Sequence, residues 1–429
     1  MTTAISAIMG FLLILTFVTG VRQMMLAVML VRPSCDQAFD WLKMSFNEQS
    51  GPGAAINALV LAMAIIAVVH VPQVLLAAPM LSWAAFLLTA AISLIHTPDI
   101  HGGLRVFLTL VTYAAAFGLP YTVIQRRETI VQCLTVAVGS SLLPSFVALL
   151  EFARTPDILI GEQRLQSTFT HPNIYAFYIV VVVTVILYMT CSATITLSKF
   201  TRRAMFAYAA YLAFLLLLTK TRSAWISMLI IVIGYSLVVD RRYLVAMLGL
   251  PTVLLIPGVT ERVSDLYSGT IDAGFEQLNS WAWRQVIWRD TLEWMATNPS
   301  GILGYGLNAY QSYMPTFFPR GERLAKIGLH NAFLQIYFEM GLAGLISFLL
   351  LMAAVAFTLI CRFREDFSGS FVMLLLCVGY MVVFYSDNLL DYLQFQWLFW
   401  FTLGSVCASA RLAAMEARAP LRHRLIRAE

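Results

Sequence analysis

The chain has 429 residues, of which 60% are hydrophobic and 12% are charged, and its mean hydropathy is +0.78. A soluble globular protein carries about 25% charged residues. The composition therefore excludes an ordinary soluble domain and indicates residence in a membrane. The formal net charge is +5. Because the basic residues fall mostly in short turns between apolar runs, this charge does not predict nucleic-acid binding.

Apolar runs long enough to cross a bilayer recur along the chain. A spanning helix needs about 20 apolar residues and pairs its own backbone groups inside the bilayer. The first run has neither a basic segment before it nor a small-residue cleavage site after it, so we expect a retained helix rather than a signal peptide. The pattern predicts an all-α polytopic membrane protein of about twelve spans, near residues 5–30, 55–71, 74–95, 104–124, 129–152, 172–198, 204–219, 223–239, 243–258, 330–360, 369–386 and 389–411.

A polar insert over residues 260–329 interrupts this pattern and predicts one long loop that bears amphipathic helices. Membrane residence explains the rest of the chain but not this insert, so we expect the chemistry at its edges. The predicted regions are a transmembrane bundle of spans one to nine over 1–259, the loop subdomain over 260–329, spans ten to twelve over 330–412, and a basic tail over 413–429.

Lysine and arginine side chains on alternate turns predict the orientation. They are Arg126, Arg127, Lys199, Arg202, Arg203, Arg241, Arg242, Arg362, Arg364 and, in the tail, Arg418, Arg422, Arg424 and Arg427. Short cytoplasmic loops carry an excess of such residues, which predicts cytoplasmic termini and an extracytoplasmic loop over 260–329. The basic tail is then placed to contact anionic membrane lipid.

The cysteines suggest no special chemistry. The chain has six, and they form no C-x-x-C pair and no cluster with histidine. The sequence therefore predicts neither a disulfide framework nor a zinc site. We expect packing cysteines, no bound metal and no cofactor.

The segment that enters the sixth span carries the first candidate site residues, Arg164, His171 and Asn173. Pro172 in the first turn predicts a helix start, and free N–H groups at such a start can bind an anion. His171 has two interpretations, a catalytic base or a capping residue, and the His-Pro-Asn corner favours capping.

Lys220 and Arg222 lie between two apolar helices on the side opposite the cytoplasmic basic residues. Snorkelling toward lipid headgroups would explain either residue. A guanidinium aimed into the bundle from a tight turn instead needs an anionic partner, and its planar fork suits a diphosphate. Arg222 is the stronger candidate of the two for that role.

Inside the insert, residues 279–298 have the spacing of an amphipathic helix with Ser280 as its N-cap. Arg284 and Trp288 fall on its apolar face, which predicts packing or, for the tryptophan, stacking on a sugar ring. An unpaired charge there would be costly, so Arg284 points to a ligand. Arg289 is a further candidate ligand. The glycines after this helix predict a compact turn rather than a nucleotide site.

His330 is the main candidate for proton chemistry because it lies where the insert rejoins the membrane. A neutral imidazole can accept a hydroxyl proton at pH 7, whereas a structural histidine at headgroup level is the alternative. Asn331 follows it, and Glu339, farther down the helix, is expected to tie helices together. Asp391, in the turn before the last span, is expected to pair with an arginine or contact an acceptor sugar.

Four motifs in this order resemble the O-antigen ligase/Wzy polymerase superfamily. They are Arg164-Leu165-x-x-Thr168-Phe169-x-His171-Pro172-Asn173, Thr221-Arg222-Ser223-Ala224-Trp225, Arg284-x-x-x-Trp288 with Asn298-Pro299-x-Gly301-x-x-Gly304-x-Gly306, and His330-Asn331-x-x-Leu334-Gln335-x-x-x-Glu339-x-Gly341-x-x-Gly344. Ser167 stands where glycine often precedes the Thr-Phe pair, which puts the local turn in doubt.

The resemblance implies a polytopic fold similar to GT-C glycosyltransferases. It also implies a reaction that uses neither metal nor nucleotide sugar, at the outer face of the bacterial inner membrane. Arg222 and Arg284 match the positions expected to hold the diphosphate of an undecaprenyl-diphosphate-linked glycan donor. His330 matches the histidine expected to activate the acceptor hydroxyl, and Arg164 matches the basic position before His-Pro-Asn. The other residues expected to bind substrate are His171, Asn173, Lys220, Arg289, Asn331 and Asp391.

The acceptor divides the superfamily. A polymerase extends a glycan on another lipid-linked repeat, a ligase transfers it to a lipid A core sugar, and a protein oligosaccharyltransferase uses serine or threonine. The first motif resembles O-antigen and exopolysaccharide polymerases more closely, so we expect polymerisation. A flippase for polysaccharide or lipid is the alternative outside the enzymes, but it should carry charges near the bilayer midplane. Here the unusual charges cluster at the predicted extracytoplasmic ends.

Overall fold

A computed structural model describes residues 14–16, 18–45, 52–159, 161, 163–244, 260, 280–318 and 328–426. Over these ranges the chain is helical and contains no strand, which confirms the predicted all-α class. The longer helices are α1 (Val21–Val31), α2 (Asp36–Ser45), α3 (Pro52–His70), α4 (Ala78–Ser93), α5 (Ile100–Val123), α6 (Arg127–Gly139), α7 (Leu142–Arg154), α8 (Pro172–Cys191), α9 (Lys199–Leu218), α10 (Arg222–Val238), α11 (Ser280–Thr297), α12 (Ala309–Phe317), α13 (Ala332–Ile360), α14 (Phe367–Phe384) and α15 (Leu393–Ile426).

Eight segments of the described chain are long and apolar enough to cross a membrane, and α10 is a shorter apolar helix. The count of about twelve spans is not confirmed. The predicted span over 243–258 and the start of the span over 5–30 lie almost entirely outside the described residues. The eight segments are Gly53–His70, Ala78–His96, Ile100–Val123, Arg127–Arg154, Pro172–Cys191, Lys199–Leu218, Ala332–Ile360 and Phe367–Phe384.

Two local features were not predicted from the sequence. The span predicted over 129–152 corresponds to one candidate membrane segment, Arg127–Arg154, but within it two helices, α6 and α7, are separated at Ser140 and Ser141. Both serine hydroxyls donate back to carbonyls of the preceding turn, at Ala137 and Val138. Such bonds compete with helix continuation. In addition, the link after the first span contains a helix, α2, that the hydropathy pattern did not predict.

Helix α8 forms the centre of the bundle. In the apolar segment of α8, 94% of the residues are buried, whereas in that of α3 only 28% are buried. Protein therefore encloses α8, and α3 lies at the periphery. It packs against α6, α9, α10, α14 and α15. Because α8 is apolar on all sides, its packing fixes the helix start that carries His171 and Asn173.

The loop between α10 and α13 docks on a break in α13. Gly341 has a φ of 64°, outside the helical region, and leaves carbonyls of the preceding turn without helical donors. The N–H groups of Tyr305 and Gly306 donate to Phe338 and Glu339 at 2.9 and 3.0 Å. Irregular backbone inside a membrane protein is tolerated where protein satisfies it. The glycine-rich turn thereby fixes the loop to the bundle.

The contacts separate the basic residues into two ends. Arg127 and Arg362 line one small cavity with Ser409, so these two basic residues on alternate turns meet at one end of the bundle. Arg164, Asn173 and Thr221 contact one another at the other end, which we call the site end. The extracytoplasmic orientation of the site end stays a prediction.

Candidate functional site

The site forms where the starts of α8, α10 and α13 meet the turn before α15, beneath α11. Arg164 joins two of these segments. Its guanidinium donates to the side chains of Asn173 at 2.5 Å and Thr221 at 2.8 Å, and to the carbonyl of Thr219 at 2.9 Å. The structure therefore places Arg164 as a brace that fixes the turn before Arg222.

Ser167 accounts for the departure from the family pattern. Its φ is 57°, a left-handed conformation that favours glycine. The serine is held there because its N–H donates to the carboxylate of Glu151 and its hydroxyl donates to the carbonyl of Pro144. The turn expected from the motif is therefore present, and two side-chain hydrogen bonds hold it without glycine.

His171 caps α8, which confirms the capping interpretation. Its Nδ1 accepts the N–H of Asn173 at 3.1 Å. Burial, together with the nearby Arg164 guanidinium, lowers the pKa of His171, so the ring is neutral at pH 7. Its ring also stacks on Tyr392 at 6.4 Å between centroids.

Asp387 is the buried carboxylate at the centre of the site and is 1% exposed. It accepts from the amide of Asn173 at 3.0 Å, the hydroxyl of Tyr392 at 2.7 Å and the N–H of Asn388 at 2.9 Å. Burial alone would raise the pKa of Asp387. His330, Arg284 and these donors outweigh it and hold the pKa below its usual value, so Asp387 is ionised at neutral pH.

His330 lies directly against this carboxylate. Its Nδ1 is 3.8 Å from Asp387 Oδ1, and its side chain is 27% exposed. The backbone has a φ of 48°, and its N–H donates to Asn388 Oδ1 at 2.6 Å. A carboxylate on Nδ1 orients the ring and leaves Nε2 as the proton acceptor. The separation is longer than a hydrogen bond, as is common for catalytic pairs without substrate.

The loop helix α11 holds this histidine in place. Trp288 Nε1 donates to the carbonyl of Leu329 at 2.7 Å, directly before His330. The Trp288 ring packs edge to face on Trp281 and Tyr385. Trp283 packs against the His330 ring at 5.5 Å. The predicted apolar stripe is thus a packing face, and Trp288 is an anchor rather than a platform for sugar.

Arg284 projects from the same helix toward the carboxylate. Burial lowers the pKa of Arg284, and the charge of Asp387 opposes that shift. Arg222 acts on Arg284 as a nearby like charge. The two guanidiniums therefore lie within electrostatic reach of each other, and Arg284 also lies within reach of Asp387. An oxyanion between them would be stabilised by both, as bidentate guanidiniums stabilise phosphate.

Three other predicted ligands make structural contacts. The Lys220 ammonium is 6% exposed and donates to the carbonyl of Gly161. Arg289 pairs with Asp290 at 3.1 Å and lies 3.9 Å from Glu293, at the surface of its own helix. Asn331 caps α13 by accepting the N–H of Leu334 at 3.0 Å. Each of these contacts is with the protein itself, and substrate binding by these three residues stays a prediction.

Asp391 lies four residues beyond Asp387 and faces a cavity. The side chain of Asp391 is exposed within this cavity. The protein around the cavity raises the pKa of Asp391 to about 6, the nearby charge of Asp387 adds to the shift, and His330 opposes it. The site end therefore contains one carboxylate that is ionised at neutral pH and one that titrates near it.

Sequence reasoning missed two residues. Asp387 is not among the site residues predicted from the sequence, although its position in the turn before the last span places a carboxylate at the same end as His330. Arg105 was passed over because it falls early in an apolar run, yet it lines the same cavities as Asp391. A lone arginine inside a membrane span is itself a functional signal.

Residues 207–349 match the family model described as O-antigen ligase. This stretch runs from α9 to the first half of α13 and contains Arg222, Arg284 and His330. The match confirms the resemblance to the O-antigen ligase/Wzy superfamily. A search of curated proteins finds no match to the chain.

Proposed function

From the place of residues 207–349 in the O-antigen ligase/Wzy superfamily, we propose that the chain is an inverting, metal-independent membrane glycosyltransferase. It moves glycan from an undecaprenyl-diphosphate-linked donor to an acceptor sugar hydroxyl, at the outer face of the bacterial inner membrane. The observation that carries this proposal is the His330–Asp387 pair, 3.8 Å apart, with Arg284 in electrostatic contact with Asp387.

His330 is the general base. The carboxylate of Asp387 faces Nδ1 and favours the tautomer with its proton there. The lone pair is then on Nε2, which takes the proton of the acceptor hydroxyl. As the proton moves, the imidazole becomes an imidazolium, and the ionised Asp387 stabilises its charge. Asp387 itself stays ionised and acts as a positioning residue, as in other base–carboxylate pairs.

The acceptor oxygen then attacks the anomeric carbon of the donor. The bond between that carbon and the diphosphate oxygen breaks as the new glycosidic bond forms, and undecaprenyl diphosphate leaves with the electron pair. Arg222 and Arg284 stabilise the charge that develops on it. Fixed donors aimed at such charge are often the largest catalytic term, with one donor contributing about 3–4 kcal/mol.

Placement at a helix boundary also suits a lipid-linked substrate. Arg222 is the first residue of the apolar helix α10, and Thr221 precedes it at the N-cap. The helix start adds a positive dipole end to the guanidinium. The polyprenyl chain can remain among apolar helices while its diphosphate meets the site end.

We favour polymerisation of O-antigen or exopolysaccharide repeats, because the motif from Arg164 to Asn173 resembles that of polymerases more closely. Ligation to a lipid A core sugar uses the same base and the same cations, so it is the second candidate. Transport by a flippase is disfavoured because the candidate charged residues gather at one end of the bundle rather than along a central path.

Product analysis with the purified protein tests the proposal. The protein is supplied with undecaprenyl-diphosphate-linked repeats, with and without lipid A core, and the products are resolved by mass spectrometry. Lengthening of glycan on undecaprenyl diphosphate supports polymerisation, and transfer to the core supports ligation. Equal yields with and without a metal chelator are expected. Absence of any transfer from an intact donor contradicts the proposal.

A further inference from the structure

A large cavity with both polar and apolar lining residues adjoins the site end and has no role in the mechanism above. Its volume is about 640 Å³, within the range of about 300–1,000 Å³ that holds ligands in proteins. Helices α2, α3 and α5 form its walls, and the starts of α8 and α15 close it. Polar side chains line it, namely Asp36, Asp40, Asn57, His101, Arg105, Thr109, Thr112, Thr170, Asp391 and Gln394.

A second cavity of about 230 Å³ lies beside the first, toward α13. The two share Arg105, Thr109 and Asp391 in their linings, so they meet at these side chains. Asp391 interacts electrostatically with His330. The large cavity therefore ends at a carboxyl that lies within electrostatic reach of the catalytic base.

The lining differs in charge from the arginine side of the site. The lining contains Asp36, Asp40 and Asp391 beside Arg105, and Asp36 pairs with Arg32 at 3.7 Å. Asn57 Oδ1 is buried and accepts no hydrogen bond among the described residues. A buried acceptor without a donor is costly and indicates a ligand or water that donates to it. Arg105 adds a donor, because its guanidinium makes no hydrogen bond or ion pair within the described chain.

The start of α8 contacts both the cavity and the buried carboxylate. Thr170 and Ile174 line the large cavity, and Asn173 donates to Asp387 at 3.0 Å. A sugar in the cavity would therefore lie close to the His330–Asp387 pair.

We propose that this cavity, with Arg105 and Asp391 at its inner end, binds the acceptor saccharide, an uncharged hydroxyl-rich glycan. The proposal rests on the proposed glycosyltransferase function. Sugar hydroxyls both donate and accept, and the lining offers Asp40 and Asn57 as acceptors with Arg105 as a donor. The donor diphosphate would then lie at Arg222 and Arg284, and the sugar that carries the acceptor hydroxyl would lie in this cavity.

Filling the cavity tests the proposal. Ala58 on α3 lines it and is exposed to it, so Ala58→Trp would occupy the space without disturbing a packed core. The probes are the repeat oligosaccharide released by mild acid from the host bacterium's surface glycan, and sugar-free undecaprenyl diphosphate. Both are titrated against purified protein in nanodiscs. Ile65→Trp is the matched control, because Ile65 lies on the same helix, is 65% exposed and lines neither cavity.

Ala58→Trp is expected to weaken oligosaccharide binding about tenfold or more, which corresponds to the loss of one or two hydrogen bonds. Undecaprenyl diphosphate should bind as in the wild type, which also shows that the variant is folded. Asn57→Leu should act in the same direction, and Ile65→Trp should change neither affinity. Unchanged oligosaccharide binding in Ala58→Trp would overturn the proposal. Failure of the wild type to bind undecaprenyl diphosphate would instead contradict the glycosyltransferase function.

Discussion

Two carboxylates four residues apart mark two different regions of the site. Asp387 faces His330 and Arg284 and is held by three donors, so it stays ionised. Asp391 faces the cavities, and its surrounding protein raises its pKa to about 6. One turn thus presents a fixed charge on one side and a titrating group on the other. Two aspartates in one turn can therefore have different roles, because their surroundings shift their pKa values in opposite directions.

Removal of the base should have the largest effect on the Asp387 side. His330→Ala is expected to lower the turnover of glycan transfer about 10³- to 10⁴-fold, the upper range for general-base catalysis. Donor binding should persist because Arg222 and Arg284 remain. Turnover is measured with purified protein, and donor affinity is titrated separately. Near-normal turnover would remove His330 from the chemistry.

Neutralising the buried carboxylate should have the next largest effect. Asp387→Asn keeps the size of the side chain but cannot stabilise the imidazolium, so turnover should fall about 10²- to 10³-fold. Because Asp387 acts through His330, the acid limb of the pH–rate profile should also move. Loss of turnover with an unshifted profile would indicate a structural role only. Asp290→Asn on the surface of α11 is the control.

Replacing the planar guanidinium of Arg222 tests the role of the two arginines, Arg222 and Arg284. Arg222→Lys keeps the charge but loses bidentate hydrogen bonding, and turnover should fall about tenfold to a hundredfold. Arg289→Lys, on the exposed surface of the neighbouring loop helix, should change little. If the lysine variant at 222 is as active as the wild type, simple attraction to headgroups is the better explanation of this residue.

The smallest effect is expected at Asp391 and depends on pH. With a pKa of about 6, the carboxyl is mostly ionised at pH 7, and about a tenth is ionised at pH 5. If acceptor binding uses the ionised form, the KM for acceptor should rise severalfold as pH falls through 6. Asp391→Asn should remove this rise. A KM that varies with pH equally in both proteins would contradict the assignment.

The membrane fold and the cationic residues could be predicted from the sequence because each leaves a local pattern. Apolar runs predict the helices, and a loop helix with Arg284 and Trp288 on one face was expected and is present. The break between α6 and α7 was missed because hydropathy does not register serine hydroxyls that bond back to the backbone.

The partnerships within the site could not be predicted, because they join segments that are far apart in the chain. The His330–Asp387 pair depends on how the turn after α14 packs against the start of α13. Lys220, Arg289 and Asn331 show the reverse problem, since their types and positions suggested ligands but their contacts are with the protein itself. Local residue type indicates what a side chain can bind, and packing determines what it does bind.

The anomeric configuration of the new bond tests the central claim most directly. The purified protein is given a lipid-linked donor of known configuration, and the linkage formed is determined by nuclear magnetic resonance. Direct displacement with His330 as base predicts inversion at the anomeric carbon, together with release of one undecaprenyl diphosphate per bond formed. Retention would contradict the account, because it requires two displacements and a covalent glycosyl intermediate.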